Sequence, residues 1–220
     1  MEREIIKTLD GSTTIYLKAW DECYHSKFGA IQESKHVFIK NGLSLFENRT
    51  ISLLEIGFGT GLNAFITFLE SQNLRISINY VGVDAYPVSI KEVLSLNYVS
   101  ELNAENEISI FEKMHNSNWG ETIALSEDFL LTKRKQFFDA INDIEKFDLI
   151  YFDAFGYNVQ PELWSTEIFQ KMYNALKING ILVTYAARGV VKRSLIEVGF
   201  TVEKLDGPPG KREMFRARKS

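Results

Sequence analysis

The chain has 220 residues, is 45 % hydrophobic and carries a formal net charge of -4, enough to bury one sizeable core and too little for two. Its longest apolar runs are strand-sized, well short of the ~20 residues that a membrane-spanning helix needs. Acids at Glu2 and Glu4 stand where a secretory leader would begin basic, so a cytoplasmic protein is expected. A lone cysteine, Cys23, and three histidines without close spacing (His25, His36, His115) argue against disulfides and against a bound metal. The charge is uneven: from Ala186 to Ser220 nine Lys or Arg face four Asp or Glu, which allows a basic face at the C-terminal end.

In chain order, residues 1–50 carry a short strand at Thr14–Leu17 and an element of uncertain type at His36–Ile39. Strands and helices then alternate: Ile51–Ile56 (strand), Leu62–Ser71 (helix), Ile78–Val83 (strand) and Ser89–Val99 (helix). The stretch Glu101–Gln136 offers only a strand at Phe129–Lys133. Alternation resumes with Asp148–Phe152 (strand), Thr166–Leu176 (helix), Ile181–Tyr185 (strand) and Val190–Val198 (helix). Two final runs, Val202–Leu205 and Glu213–Ala217, flank Asp206-Gly-Pro-Pro-Gly210 and read as a hairpin with a long turn. The order predicts an α/β fold, a mostly parallel sheet covered on both faces and closed by a C-terminal antiparallel hairpin.

The segment Leu53-Leu-Glu-Ile-Gly-Phe-Gly-Thr-Gly-Leu62 puts Gly57, Gly59 and Gly61 between a buried strand and a helix. Glycine there lets the backbone turn sharply and lets a ligand approach where a Cβ would collide. A dinucleotide fingerprint would need glycine where Leu62 stands, and a phosphate-binding P-loop would need GK[ST], so both lose a required residue. Glu55 before the glycines and Asp84 ending the next strand complete a set that suits S-adenosylmethionine (SAM). Asp84 is expected to accept the ribose hydroxyls, and Glu55 to meet the cationic amino-acid end of SAM directly or through water. The bland alternative for the glycines is a tight turn and nothing more.

The strand Asp148–Phe152 ends in Asp153-Ala-Phe155. Ligands of open α/β sheets sit beyond the carboxyl ends of the strands, so Asp153 and Phe155 are the leading catalytic candidates. A carboxylate there can accept an N–H bond from an amine and offset positive charge developing on nitrogen. An aromatic ring alongside suits base stacking. The alternatives are a loop cap for Asp153 and simple core packing for Phe155 and Trp164.

These residues resemble a known family. Tyr24-His-Ser-Lys-Phe-Gly-Ala-Ile-Gln-Glu-Ser34, Glu55-Ile-Gly-Phe-Gly-Thr-Gly-Leu-Asn63, Phe152-Asp-Ala-Phe155, Pro161-Glu-Leu-Trp164 and Lys211-Arg-Glu-Met214 are together similar to the methyltransferase half of the tRNA 5-methylaminomethyl-2-thiouridine biosynthesis enzymes (the MnmC family) and their stand-alone relatives. The resemblance, which covers roughly Tyr24–Arg218, implies the class I SAM-dependent methyltransferase (Rossmann-like) fold; residues 51–220 are expected to form that domain, with residues 1–50 as an N-terminal extension packed on it. It implies N-methylation of 5-aminomethyl-2-thiouridine at the wobble position, with the tRNA anticodon arm as partner and without the FAD-dependent oxidase of the larger members. Asp153 falls on the family's strand-end aspartate. Asn63 joins the cofactor set, and Gln136 stands where relatives carry an acid near the adenine. Tyr24, Ser26, Glu33, Trp164, Lys211 and Arg212 become substrate contacts. Three other functions stay open: an aminopropyltransferase of the spermidine synthase type, a small-molecule or protein methyltransferase, and a non-catalytic binding module. The first lacks its usual second acid, because Ala154–Gln160 contains none.

Overall fold

The computed structural model describes residues 2–220 and holds two sheets. The smaller is antiparallel and N-terminal: β1 (Arg3–Lys7), β2 (Thr13–Leu17) and β3 (Glu22–Cys23), in that spatial order. Helix α1 (Ala30–Ser34) follows and runs on through one wider helical turn, Lys35–Lys40, so the element around His36–Ile39 is helical.

The larger sheet has eight strands: β4 (Thr50–Ile56), β5 (Ser77–Asp84), β6 (Thr122–Ser126), β7 (Phe129–Lys135), β8 (Phe147–Phe152), β9 (Leu176–Thr184), β10 (Phe200–Asp206) and β11 (Glu213–Lys219). Their spatial order is β10-β11-β9-β8-β4-β5-β7-β6. β7, β5, β4, β8 and β9 are mutually parallel, while β6, β11 and β10 are antiparallel to their neighbours. The parallel core and the C-terminal hairpin agree with the sequence reading. From β4 the chain moves to β5 on one side and later returns to β8 on the other. That reversal opens a crevice beyond the carboxyl ends of β4 and β8, where ligands of such sheets bind.

Helices α2 (Leu62–Leu74) and α5 (Ile108–Asn116) cover one face, where Phe65, Phe68 and Phe111 pack on Leu53, Tyr80 and Tyr151. Helices α6 (Thr166–Ala175) and α7 (Gly189–Glu197) cover the other, where Phe169, Met172 and Leu195 pack on Leu54, Ile150 and Leu182. Adjacent strand residues such as Leu53 and Leu54 enter opposite layers, and this explains why the central strands read as continuous apolar runs.

Two stretches depart from the sequence reading. The expected helix Ser89–Val99 is split into α3 (Ile90–Val93) and α4 (Tyr98–Glu101). Asn97 between them is drawn off by the small sheet: its side-chain oxygen accepts from Thr13 N (2.7 Å) and Oγ1 (2.9 Å), and its amide donates to Gly11 O (3.0 Å). Those long-range bonds replace continuation of the helix. The stretch Glu101–Gln136 contains α5 and the antiparallel pair β6–β7, which a local reading of mixed polar sequence does not separate. No helix among the described residues is long and apolar enough to cross a membrane.

Candidate active site

The glycine loop is shaped by what lies against it. At Gly57 the backbone takes φ 89°, and an added Cβ would stand 2.4 Å from the carbonyl oxygen of Asp153, so only glycine lets the β4 and β8 ends approach this closely. At Gly61 φ is 72°, and a Cβ would stand 2.6 Å from the buried His115 ring. Gly59 lies under the ring of Tyr24. Above this loop is a cavity of about 870 Å³, walled among others by Gly57, Gly59, Asp84, Asp153, Phe155 and Tyr24. That is ample for a nucleoside-sized ligand.

Asp84, at the end of β5, is oriented by two backbone donors: Gly59 N to Oδ2 and Tyr86 N to Oδ1, each 2.8 Å. Burial pushes its carboxyl up, while these two bonds and the charge of Arg3 pull it back. Arg3 itself lines the cavity and pairs with Glu92 at 3.0 Å. The small sheet thereby reaches across to the β5 side.

Asp153 sits where β8 ends, and its N–H donates to Ile56 O (2.9 Å). Its Oδ2 accepts an N–H from Asn63 (2.8 Å). Burial, with the negative charge of Glu33 adding to it, pushes this carboxyl up to about 7, against the Asn63 bond and the charge of Lys211. Glu33 and Lys211 are ion-paired, Glu33 from α1 and Lys211 from the β10–β11 turn. Glu33 also accepts the Ser26 N–H at 3.0 Å. The Lys211 ammonium lies 4.0 Å from the centre of the Tyr185 ring, whose hydroxyl donates to Ala154 O at 2.8 Å. Beside this polar corner three rings meet edge to face: Phe155 with Tyr24 (5.0 Å) and with Trp20 (5.5 Å).

Residues expected to share one site are thus divided. Asp84, Gly57, Gly59, Asp153, Phe155 and Tyr24 face the cavity, and Glu33 and Lys211 adjoin Asp153. Glu55 does not line it: fully buried, it accepts from Asn63 at Oε1 and from the Tyr80 hydroxyl at Oε2. Trp164 is a core residue, 1 % exposed, and its indole N–H donates to Phe155 O at 2.9 Å, so it braces the loop rather than touching a ligand. Gln136 is off the cavity wall, its N–H bonded to Asp84 O (3.1 Å), whereas Asp139, three residues on, lines it and supplies an acid on that side. Gly61 turns toward His115, Ser26 serves Glu33, and Arg212 is exposed. Trp20, Tyr185 and Arg3 escaped the sequence reading. Tyr185 directly follows β9 and was findable by position, but Arg3 comes from β1 and Trp20 from the helical turn between β2 and β3, whose docking no local pattern announces. Among the described residues there is no group of three or more His, Cys, Asp or Glu that could hold a metal.

Comparison with known proteins adds the family. Residues 112–220 match the profile of an S-adenosyl-L-methionine-dependent methyltransferase family. The chain belongs to the SAM-dependent methyltransferases. The methyltransferase is 30 % identical over 91 % of its length to the "tRNA 5-methylaminomethyl-2-thiouridine biosynthesis bifunctional protein MnmC" of Leptospira borgpetersenii, and covers 33 % of that protein. It therefore spans about a third of the length of the curated relatives it matches. Among solved structures it superposes on MNMC2 from Aquifex aeolicus with a TM-score of 0.73, at 22 % identity, over 98 % of this chain and 70 % of that one. Spermidine synthase from Thermotoga maritima gives a TM-score of 0.61 at 14 % identity, over 99 % of this chain and 68 % of the other. Both likenesses carry the fold. The cofactor of the family is SAM, and the residues present fit it. The glycine loop leaves room for a ligand against bare backbone, and Asp84 is fixed at the rim as an acceptor for hydroxyls.

Proposed function

We propose that this methyltransferase converts 5-aminomethyl-2-thiouridine to 5-methylaminomethyl-2-thiouridine at the wobble position of tRNA, in the cytoplasm, with the anticodon arm as its partner. The observation that carries the reading is Asp153: a buried strand-end carboxylate, bonded at one oxygen and facing the cavity beside three aromatic rings. Kinship with the MnmC proteins supports the same substrate. Asp84 and the glycine loop would hold the cofactor, with Asp139 near its base. When bound, SAM supplies an electrophilic methyl carbon and leaves as a neutral thioether.

The chain's own residues supply the rest. A primary alkylamine reaches the site as an ammonium ion. Asp153 takes one N–H proton, which frees the nitrogen lone pair for the new N–C bond, and later passes that proton to solvent. A carboxyl pushed up to about 7 suits this exchange, because its proton affinity lies close to the working pH. Once that proton has gone to solvent, the carboxylate accepts a remaining N–H bond and holds the nitrogen in line with the methyl carbon. Trp20, Tyr24 and Phe155 stack on a base turned out of the anticodon loop, as enzymes acting on a nucleobase require. Residues 1–50 are read as an extension of the catalytic domain, since they bring Trp20, Tyr24 and Glu33 to the site.

The test is incubation of the protein with SAM and tRNA from cells that cannot complete the wobble modification, followed by nucleoside mass spectrometry. Gain of one methyl on the aminomethyl nucleoside is expected, and an unchanged nucleoside with cofactor bound would sink the substrate assignment. One observation favours a second reading, aminopropyl transfer to a polyamine: Glu33 provides, from a distant helix, the second acid missing from Ala154–Gln160. Glu33 is already occupied by Lys211, which weighs against it. Product formation from decarboxylated SAM and putrescine would decide for that reading.

A further inference from the structure

Behind Asp153, on the side away from the cavity, lies a polar chain that methyl transfer does not itself call for. Glu55, near the end of β4, is fully buried and accepts two bonds: Tyr80 Oη to Oε2 (2.8 Å) and Asn63 Nδ2 to Oε1 (2.9 Å). Asn63, in the first turn of α2 and 1 % exposed, gives the same amide nitrogen to Asp153 Oδ2 at 2.8 Å. The two protons of one amide are thus shared between carboxyls from the adjacent strands β4 and β8. The Asn63 carbonyl oxygen has no partner.

An NH2 group has no acceptor capacity, so it favours the ionised form of each carboxyl it touches. Turning the Asn63 amide over would aim its carbonyl at both carboxyls; burial pushes the Glu55 carboxyl well up, so it is in its ionised form, favoured by the Tyr80 and Asn63 bonds, that Glu55 opposes the turn. The result is a fixed carboxylate. Its Oδ2 is engaged, while no donor among the described residues reaches Oδ1.

We propose that Asn63, oriented by Glu55 and Tyr80, is a positioning residue for Asp153: it pins Oδ2 and leaves Oδ1 as the atom that meets the substrate amine. The inference rests on the role proposed above for Asp153, and it gives Asn63 and Glu55 a task other than the cofactor contact expected from the sequence. The groups facing Asp153 are Glu33 from α1, Lys211 from the hairpin turn, Glu55 from β4, Tyr80 from β5 and Tyr185 after β9. Of the bonds to its side chain, only that from Asn63 draws the carboxyl downward, alongside the charge of Lys211.

The experiment follows the Asp153 carboxyl by carbon NMR against pH, in wild type and in Asn63→Leu, with S-adenosylhomocysteine present and its affinity measured by calorimetry. With the amide gone, the midpoint should rise by about one unit, the scale of one lost hydrogen bond to the charged form. Affinity for S-adenosylhomocysteine should stay within about three-fold, below the ten-fold that about 1.4 kcal/mol would produce. An unmoved midpoint overturns the proposal, and a ten-fold affinity loss beside it would make Asn63 a cofactor ligand. Should the leucine variant not fold, Asn63→Ala saturated with S-adenosylhomocysteine, which stabilises the native state by mass action, is held to the same criterion. Neither measurement needs tRNA. Failure of the wild-type protein to methylate tRNA would therefore strike the substrate reading and leave this result standing.

Discussion

At the scale of single residues, the site works by holding carboxylates in places that water would not choose for them. Asp153 has been raised to about 7 in the fold, chiefly by burial, so the native state binds its proton more tightly than the unfolded chain does. That group's stabilising contribution is full below the unfolded carboxylate range near pH 4 and is lost as pH rises through about 7. Asp153→Asn removes the cost: its melting temperature should match wild type near pH 4 and exceed it above pH 7. The same variant should keep SAM affinity while methyl transfer falls at least ~100-fold, the scale of one lost transition-state contact. Single-turnover methylation at saturating SAM checks it, and a rate close to wild type would make Asp153 a structural residue. Asp84→Ala should weaken S-adenosylhomocysteine binding by about ten-fold or more, as expected when charge-assisted bonds to hydroxyls are lost. Calorimetry on the folded variant gives the answer.

At the scale of elements, each wall of the site belongs to a different piece of chain. The glycine loop joins β4 to α2, Asp84 ends β5, Asp153 follows β8, Tyr24 follows β3, and α1 sets Glu33 beside Asp153. The β10–β11 turn supplies two cations with different surroundings. Lys211 is tied to Glu33 over the Tyr185 ring, whereas Arg212 is exposed and free to meet a phosphate. Arg212→Ala should therefore reduce the salt dependence of tRNA binding by about one unit of slope. Lys211→Ala should change that slope less, and should instead raise the pH at which methylation reaches half its maximum, because a cation that favours ionised Asp153 is gone. Equal slope changes in the two variants would mean that Lys211 leaves Glu33 for the phosphate backbone.

At the scale of the whole molecule, two histidines are folded into the interior uncharged. Burial holds His25 down to about 4 and His115 down to about 3, and His25 bonds Thr60 at 2.7 Å. The unfolded chain protonates both near 6.5, so their contribution to stability is present above that pH and is lost as pH falls toward 4. Asp153 acts in the opposite sense over that interval, so the histidine contribution is read by difference: the melting temperature of wild type should fall relative to that of His115→Leu, which also removes a buried ring nitrogen without a partner, as pH goes from 6.5 to about 4. An unchanged acid limb would place the sensitivity elsewhere. The sequence by itself determined the α/β order, the glycine turn with its acids at Glu55 and Asp84, and Asp153 at a strand end. All of these are local: apolar period, turn chemistry and strand position can be read within a dozen neighbouring residues. Only the tertiary structure decided which of them face the ligand. It turned Glu55 and Trp164 inward, put Asp139 rather than Gln136 on the cavity wall, broke the helix at Asn97, and brought Glu33 to Asp153 and Trp20 to Phe155 from more than a hundred residues away. Those outcomes depend on which groups find partners across strands and sheets, and burial of a polar side chain is settled by that long-range pairing, which the residue's own neighbours in the chain do not encode.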